Sequence, residues 1–397
     1  MAIKGFRSAG HLPSLIAALV HFDVSFMVWV LVGALSVYIA EDLQLSSAQK
    51  GLMVAVPPLG GSLFRLVVGP LADRIGAKRT GTLVLLAVLV PLVWGWQAGG
   101  TYVQVLGIGL LLGLAGSSFA VALPLASRWY PSQYQGLALG IAGAGNSGTI
   151  VASLAAPRLA EQVGWHGVFG LATLPVLTVL LFFGLAAKEP PRPAAEARRS
   201  LRRLLNESDA RWLCLFYLVT FGGFVGMSGY LPILFVDRFA LPKVAAAGYA
   251  ALCAAAGSLL RPVGGALADR FGGTRVLSVV FIAITSIAVA LATLPPLGAT
   301  VTLLVCLLGA FGIGNGAVFQ LVPQRYPTRI GAMTGLVGAA GGVGGFLLPF
   351  ALGFLNGVTG SFTPGFLVLG AAAASAAVGI VNRQRLWRAE WQLEAAV

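Results

Sequence analysis

The sequence predicts an all-α membrane protein: twelve transmembrane helices arranged as two six-helix bundles related by an internal repeat. Three observations predict it. Of 397 residues, 57% are hydrophobic and 10% charged, whereas a soluble domain carries about 25% charged residues. The apolar residues fall in about twelve blocks of 18–28, each long enough to cross the hydrocarbon core as a helix. Residues 61–79, GSLFRLVVGPLADRIGAKR, return 196 positions later as residues 257–275, GSLLRPVGGALADRFGGTR, identical at 12 of 19 positions without a gap. Similarity at a fixed offset marks a duplication.

Taken in order, helix 1 covers residues 15–40 and contains His21 and Asp23, then Phe26-Met-Val-Trp29. It lacks a short h-region and a small-residue cleavage site, so it reads as a retained helix and not a signal peptide. Helix 2, residues 52–71, carries Arg65. Helix 3, residues 82–96, ends at Trp94 and Trp96, which suit a membrane interface. Helix 4, residues 103–127, leads to Tyr130-Pro131, and helix 5, residues 137–156, holds Gly143-Ala-Gly-Asn-Ser-Gly148. Helix 6 spans residues 165–187.

The second half repeats the plan: helix 7 at 212–236, helix 8 at 245–267 with Arg261, helix 9 at 276–294, helix 10 at 299–322. Helix 11, residues 332–354, holds Gly338-Ala-Ala-Gly-Gly-Val-Gly-Gly345, and helix 12 is 366–381 followed by a basic tail. Tyr130-Pro131 and Tyr326-Pro327 are again 196 apart, as are Gly145 with Gly341 and Gly148 with Gly344. The domains are therefore 1–187, an N-terminal bundle; 188–210, a cytoplasmic linker; and 211–397, a C-terminal bundle with its basic cytoplasmic tail. In the linker, Arg198, Arg199, Arg202 and Arg203 alternate with leucines, which suits either an amphipathic helix on an anionic leaflet or a solvated connector.

The net charge of +13 invites a nucleic-acid partner, and its distribution argues against one. With the N-terminus cytoplasmic, 20 Lys and Arg fall in cytoplasmic loops and tails, and only Lys50, Arg158, Arg238 and Lys243 fall outside. This is the positive-inside pattern of a multi-pass plasma-membrane protein with both termini cytoplasmic, its basic surface facing the lipid bilayer. The three cysteines lie in apolar spans without metal spacing and read as small buried hydrophobes. No P-loop, metal-ligand cluster or nucleophile with a base is present. Enzyme activity and cofactors are not expected, and transport would be gradient-driven.

The chemistry lies in Arg65 and Arg261, one at the same point of each repeat and two turns before its charged turn. An arginine this far inside a span costs roughly 2.5–3.5 kcal/mol and is by default a functional site. The only acid within a span is Asp23. The cavity is thus electropositive, and guanidinium forks match a small planar oxyanion; snorkelling or a backbone-carbonyl partner is the alternative. Asn146 would add a donor and an acceptor at the midplane. Phe119, Tyr217 and Phe221 are candidate cavity aromatics, the last two on one face of helix 7. The glycines of helices 5 and 11, including Gly145, Gly148, Gly341 and Gly344, read first as close packing. Asp23 is either a structural hydrogen-bond partner or the titrating group of a proton symport.

Six plus six helices with a parallel repeat resemble the major facilitator superfamily. The turn residues Gly69, Asp73, Arg74, Gly76 and Arg79, repeated as Gly265, Asp269 and Arg270, resemble its signature, a cytoplasmic gate. Such carriers bind substrate at the midplane between the halves. More specifically, the paired arginines, the two Gly-rich helices, Phe26-Met-Val-Trp29 and Tyr217-x-x-x-Phe221-Gly-Gly-Phe224 resemble the nitrate/nitrite porter (NarK-type) family. The resemblance implies a rocker-switch carrier of nitrate and nitrite, small inorganic anions, by exchange or by proton-coupled symport. It implies that Arg65, Arg261 and Asn146 bind the anion between Phe119, Tyr217 and Phe221. Gly342 stands where the repeat would place a partner for Asn146, so the site should be asymmetric. A carrier of another small or organic anion and an anion sensor are the rival readings; a monomer is this architecture's default.

Overall fold

The computed structural model describes residues 6, 8–190, 204, 206–326 and 329–394. Linker arginines 198, 199, 202 and 203 lie outside these residues. Only helices and their connections occur among the described residues. Helix α1 runs through residues 12–42 in three pieces, Leu12–Trp29, Leu31–Ala34 and Ser36–Asp42, with hydrogen bonds continuing across the breaks at Val30 and Leu35. Then follow α2 (Ser47–Ile75), α3 (Ala77–Gln97) and α4 (Tyr102–Gly116 and Phe119–Ser127). Helix α5 begins as Ser132–Gly143, tightens into a 3₁₀ turn at Ala144–Ser147, and resumes at Gly148. The continuous stretch Gly148–Ala186 turns over at Gly164 (φ 70°, ψ 164°), which separates α5 (to residue 163) from α6 (165–186). The second half comprises α7 (Ser208–Phe239), α8 (Lys243–Phe271), α9 (Gly273–Ala292), α10 (Leu297–Arg325), α11 (Ile330–Thr359) and α12 (Thr363–Glu394). Among the described residues, eleven stretches are long and apolar enough to span a membrane, and the 49-residue one contains both α5 and α6. The chain therefore crosses twelve times, as its apolar blocks predict.

The start of α1 meets the residues just after α6 (Lys188 N–H to Ser14 Oγ, 2.8 Å), and the start of α7 meets the last turns of α12; this end of the bundle is here called the terminal end. Local chemistry sets the helix boundaries. At the far end α2 and α4 open on capping boxes, Ser46 with Gln49 and Thr101 with Gln104. At the terminal end α2 closes on Gly76, whose φ of 104° suits glycine. The Glu189 carboxylate then accepts from the N–H groups of Ala77 (2.6 Å) and Lys78 (3.1 Å), placing a negative charge on the positive end of α3.

Helix α12 departs from expectation: it continues well beyond residue 381 instead of yielding to a tail. Its extension is held by Trp387, 1% exposed, whose indole donates to Asp209 at the start of α7 (2.7 Å). Asp209 also accepts from Arg325 of α10 (2.7 Å).

Within each half the helices cross at glycines. A Cβ on Gly113 of α4 collides with the backbone of Gly60 on α2, and a Cβ on Gly312 or Gly316 of α10 collides with the backbone of α8 at Gly257 and Arg261. Between halves, α2 runs along α11 from Gly51 against Gly353, through Gly342 against Pro58 and Ser62, to Gly338 beside Arg65. Toward the terminal end this contact stops, and Gly335 meets nothing within 4 Å. Helices α5 and α8 meet at Asn146 and Ser258 (3.3 Å), beyond which Gly140, Gly143 and Gly265 also meet nothing.

The far end is closed by charge. Lys50 of α2 pairs with Asp237 of α7 (2.8 Å), and Lys243 of α8 pairs with Glu41 of α1. Glu41 and Asp237 are themselves 196 residues apart, so the two acids are repeat equivalents, while the lysines are not: Lys243 corresponds to Ser47 and Lys50 to Ala246. Both bridges line a cavity of about 350 Å³. Among the described residues, ion pairs at the terminal end stay within one half: Arg128–Asp73, Arg325–Asp209, Arg383–Asp209 and Arg329–Glu207.

The glycine crossings predict a contrast. Gly113→Val forces α2 and α4 apart and should abolish monodisperse protein in detergent size exclusion, while Gly140→Ala should elute and melt like wild type.

Candidate anion site

The site forms where α2 and α8 pass the midplane. Arg65 is 2% exposed and Arg261 is 9% exposed. Snorkelling is therefore ruled out for Arg65. Its Nε donates to the Gly116 carbonyl of α4 (3.0 Å), and its Nη1 donates to the Gly338 carbonyl of α11. Arg65 thus has the backbone-carbonyl partners of the alternative reading; they orient the guanidinium but neutralise nothing. Arg261 donates from Nη2 to the Tyr217 hydroxyl (3.5 Å). Nη2 of Arg65 and Nη1 of Arg261 are buried without a hydrogen-bond partner. Among the described residues no ion pair includes either arginine. Two buried cations with spare N–H groups make a site that an anion satisfies.

Aromatic rings wall this charge. The Phe119 ring lies 5.6 Å from the Arg65 guanidinium carbon and 5.8 Å from that of Arg261. Trp29 and Phe221 lie 5.3 and 5.4 Å from Arg65. Tyr217 and Phe221 stack at 4.8 Å with planes 7° apart. The ring faces offer partial negative charge to the guanidiniums without consuming their donors. Phe319 of α10 completes the wall: it is 5.6 Å from Arg261 and meets Phe119 (5.4 Å) and Tyr217 (5.0 Å) edge-on. Sequence reasoning missed Phe319, because its repeat counterpart is Leu123 and neither charge nor motif marks it.

Asn146 sits in the 3₁₀ turn of α5, 1% exposed, with Oδ1 unpartnered. Two serines three residues before the arginines reach across the halves. The Ser258 hydroxyl donates to the Asn146 carbonyl (3.3 Å), and that of Ser62 donates to the Ala339 carbonyl (2.6 Å). Ser147 donates to the Asp23 carboxylate (2.5 Å), so Asp23 fastens the turn that carries Asn146. The glycines beside it are contact points: Cβ atoms on Gly145 and Gly148 collide with α1 at Phe22 and Asp23, and those on Gly341 and Gly344 collide with α7. Gly342 has no room for a side chain against Pro58 and Ser62, which is why the second half lacks an Asn146 counterpart.

The structure thus gathers Arg65, Arg261, Phe119, Tyr217 and Phe221, and Asn146 joins them through Ser258, three residues before Arg261. The turn residues stand apart at the terminal end. Asp73 pairs with Arg128 (2.8 Å), while Arg74, Arg79, Asp269 and Arg270 are exposed. Gly69 and Gly265 leave space around them. No group of three or more metal-ligating side chains occurs among the described residues.

Comparison with known proteins identifies the family. Residues 17–349 match the family described as the Major Facilitator Superfamily. The chain is 34% identical over 361 residues to the nitrite extrusion protein of Bacillus subtilis, covering 90% of each. It is 36% identical over 387 residues to a probable nitrate/nitrite antiporter, NarK1, of Thermus thermophilus, covering 89% of this chain and 87% of that one. It is 34% identical to the probable nitrate/nitrite transporter NarK2 of Mycobacterium tuberculosis (strain H37Rv), covering 88% and 91%. In fold it matches the crystal structure of a bacterial homolog of the human lysosomal transporter Spinster, titled inward-facing and occupied. There the TM-score is 0.73 at 17% identity, with 94% and 96% coverage.

The Asp23–Ser147 bond predicts shared energetics. Asp23→Ala and Ser147→Ala should lower the melting temperature equally, and the double variant should add nothing further; additive losses would show that the two residues act separately.

Proposed function

The chain belongs to the Major Facilitator Superfamily and, within it, to the nitrate/nitrite porter (NarK-type) family, and from that membership we propose that it exchanges nitrate and nitrite by rocker-switch alternating access. The observation that carries the proposal is the pair of buried guanidiniums with spare N–H groups and, among the described residues, no acid to neutralise them. Both anions are small and monovalent, with oxygens in one plane. One such anion can accept from Arg65 and Arg261 together while the ring faces of Phe119, Tyr217 and Phe221 flank it, and Asn146 adds a polar contact from α5. The carriers named for nitrate and nitrite among its relatives support the same substrates.

The coupling follows from Coulomb's law. Without an anion, two like charges repel across the interface and resist the approach of the halves, residues 1–187 and 211–397, joined by the linker 188–210. A bridging anion cancels part of that repulsion, so the loaded carrier switches and the empty one stalls. That is the behaviour of an exchanger. With the basic loops cytoplasmic in a plasma membrane, the far end is the outer end. The Lys50–Asp237 and Lys243–Glu41 bridges then act as an outer latch that parts when the site opens outward. Asp23 acts as a positioning residue, because its carboxylate is engaged by Ser147; this favours exchange over proton symport. Transport does not require an enzyme activity or a cofactor, and the working unit is a monomer.

Proteoliposomes of purified protein should take up nitrate when preloaded with nitrite and fail to do so when empty, whatever the pH gradient. Arg65→Lys and Arg261→Lys should each lower that exchange by about a hundredfold, because an ammonium does not reproduce the fork. Uptake into empty vesicles driven by protons would replace exchange with symport, and competition by carboxylates but not nitrite would point to another anion. Separately, Lys50→Ala and Lys243→Ala should shift the carrier toward its outward-open state, by roughly two- to fivefold each, as expected for partly exposed ion pairs. Thiol-reagent labelling of single cysteines placed on the outer side of the site would read this as faster modification.

A further inference from the structure

We propose that Asn315 of α10 is a further substrate-contacting residue, its side-chain amide donating to the anion held between Arg65 and Arg261. The proposal rests on the nitrate/nitrite reading above and adds a polar contact from the C-terminal half.

Asn315 is 1% exposed, and both its Nδ2 and its Oδ1 lack a hydrogen-bond partner. A buried amide with neither atom satisfied is costly and rarely kept without a purpose. The contacts of its neighbours fix the direction of its side chain, since successive residues turn by about 100° around a helix. Phe311, one turn earlier, lies against Gly223 of α7. Phe319, one turn later, touches Arg261, Tyr217 and Phe119. Gly312 and Gly316 face the α8 backbone, and Gly314 faces Thr220 of α7. Asn315 falls between the directions of Phe311 and Phe319, into the groove between α7 and α8 that opens on the arginines. It is level with Arg261, whose carbonyl lies against the adjacent Gly316.

The repeat gives an independent line. Asn315 is 196 residues after Phe119, and Phe119 faces both guanidiniums from the N-terminal half. The pseudo-twofold therefore directs Asn315 at the same point from the C-terminal half. Each half contributes one wall at this position, a ring on α4 and an amide on α10. In the same way Asn146 on α5 has only Gly342 as its counterpart. The two asparagines thus enter from opposite halves at non-equivalent positions, and between them they supply the polar contacts that the two halves do not duplicate.

The test uses purified full-length protein and nitrate. Asn315→Leu keeps the volume and removes the amide. Its melting temperature without nitrate should equal or exceed that of wild type, since an unsatisfied amide is gone. Its rise in melting temperature with added nitrate should shrink, and the KM for nitrate in nitrite-loaded vesicles should rise about tenfold. Asn315→Ala reads the same quantities if leucine prevents folding. A variant that melts lower without nitrate but keeps the wild-type nitrate response and KM would make Asn315 a packing residue and overturn the proposal. If nitrate fails to stabilise the wild type, the substrate reading falls first; if it stabilises wild type and variant equally, only the role of Asn315 falls.

Discussion

Two guanidiniums buried in an apolar bundle set the terms for the rest of this structure. Each costs several kcal/mol to hold away from water, and no acid among the described residues offsets either. What surrounds them lessens that cost without neutralising it: backbone carbonyls of α4 and α11 for Arg65, the Tyr217 hydroxyl for Arg261, and aromatic faces for both. The charge stays available. In the proposed exchange an anion meets these spare donors, and the repulsion between the arginines makes the halves responsive to whether one is bound.

Close packing within and between the halves sets where the two arginines stand, and glycine is the means. Gly145 and Gly148 bring α5 onto α1; Gly341 and Gly344 bring α11 onto α7; Gly342 brings α11 onto α2. The same packing accounts for the asymmetry of the site. The duplication would give two copies of every residue, but Gly342 has no space for an amide, and a small planar anion does not need identical contacts on both sides. The far-end bridges are different in kind: reciprocal between the halves, partly exposed and individually weak, they suit the proposed latch that opens in each cycle.

Much of this was legible in the sequence, for identifiable reasons. Twelve spans follow from length and apolarity, and the sequence separates helices 5 and 6 at the charged stretch 157–164 although in the structure the helix runs on to the turn at Gly164. Arg65 and Arg261 stand out because a charge in an apolar span is rare and the offset of 196 pairs them. Phe319 and the place of Trp29 beside Arg65 were not legible, since an aromatic residue looks alike whether it faces lipid, core or cavity. The far-end bridges were hidden because Lys50 and Lys243 meet acids 187 and 202 residues away in sequence. The long α12 was misjudged because its basic residues resemble a solvated tail; what holds it is a tertiary bond from Trp387 to Asp209. Asn315 carried the same signal that marked Asn146, an asparagine between glycines in an apolar helix, and only the structure, by leaving its amide unpartnered, sets it apart.

The central claim is that one anion is shared by two arginines. Isothermal titration of the purified protein with nitrate tests it most directly, through the stoichiometry. The account predicts one nitrate per chain and no detectable binding when either Arg65 or Arg261 is replaced by methionine. Two nitrates per chain, or a single methionine variant that still binds one nitrate with wild-type affinity, would contradict it.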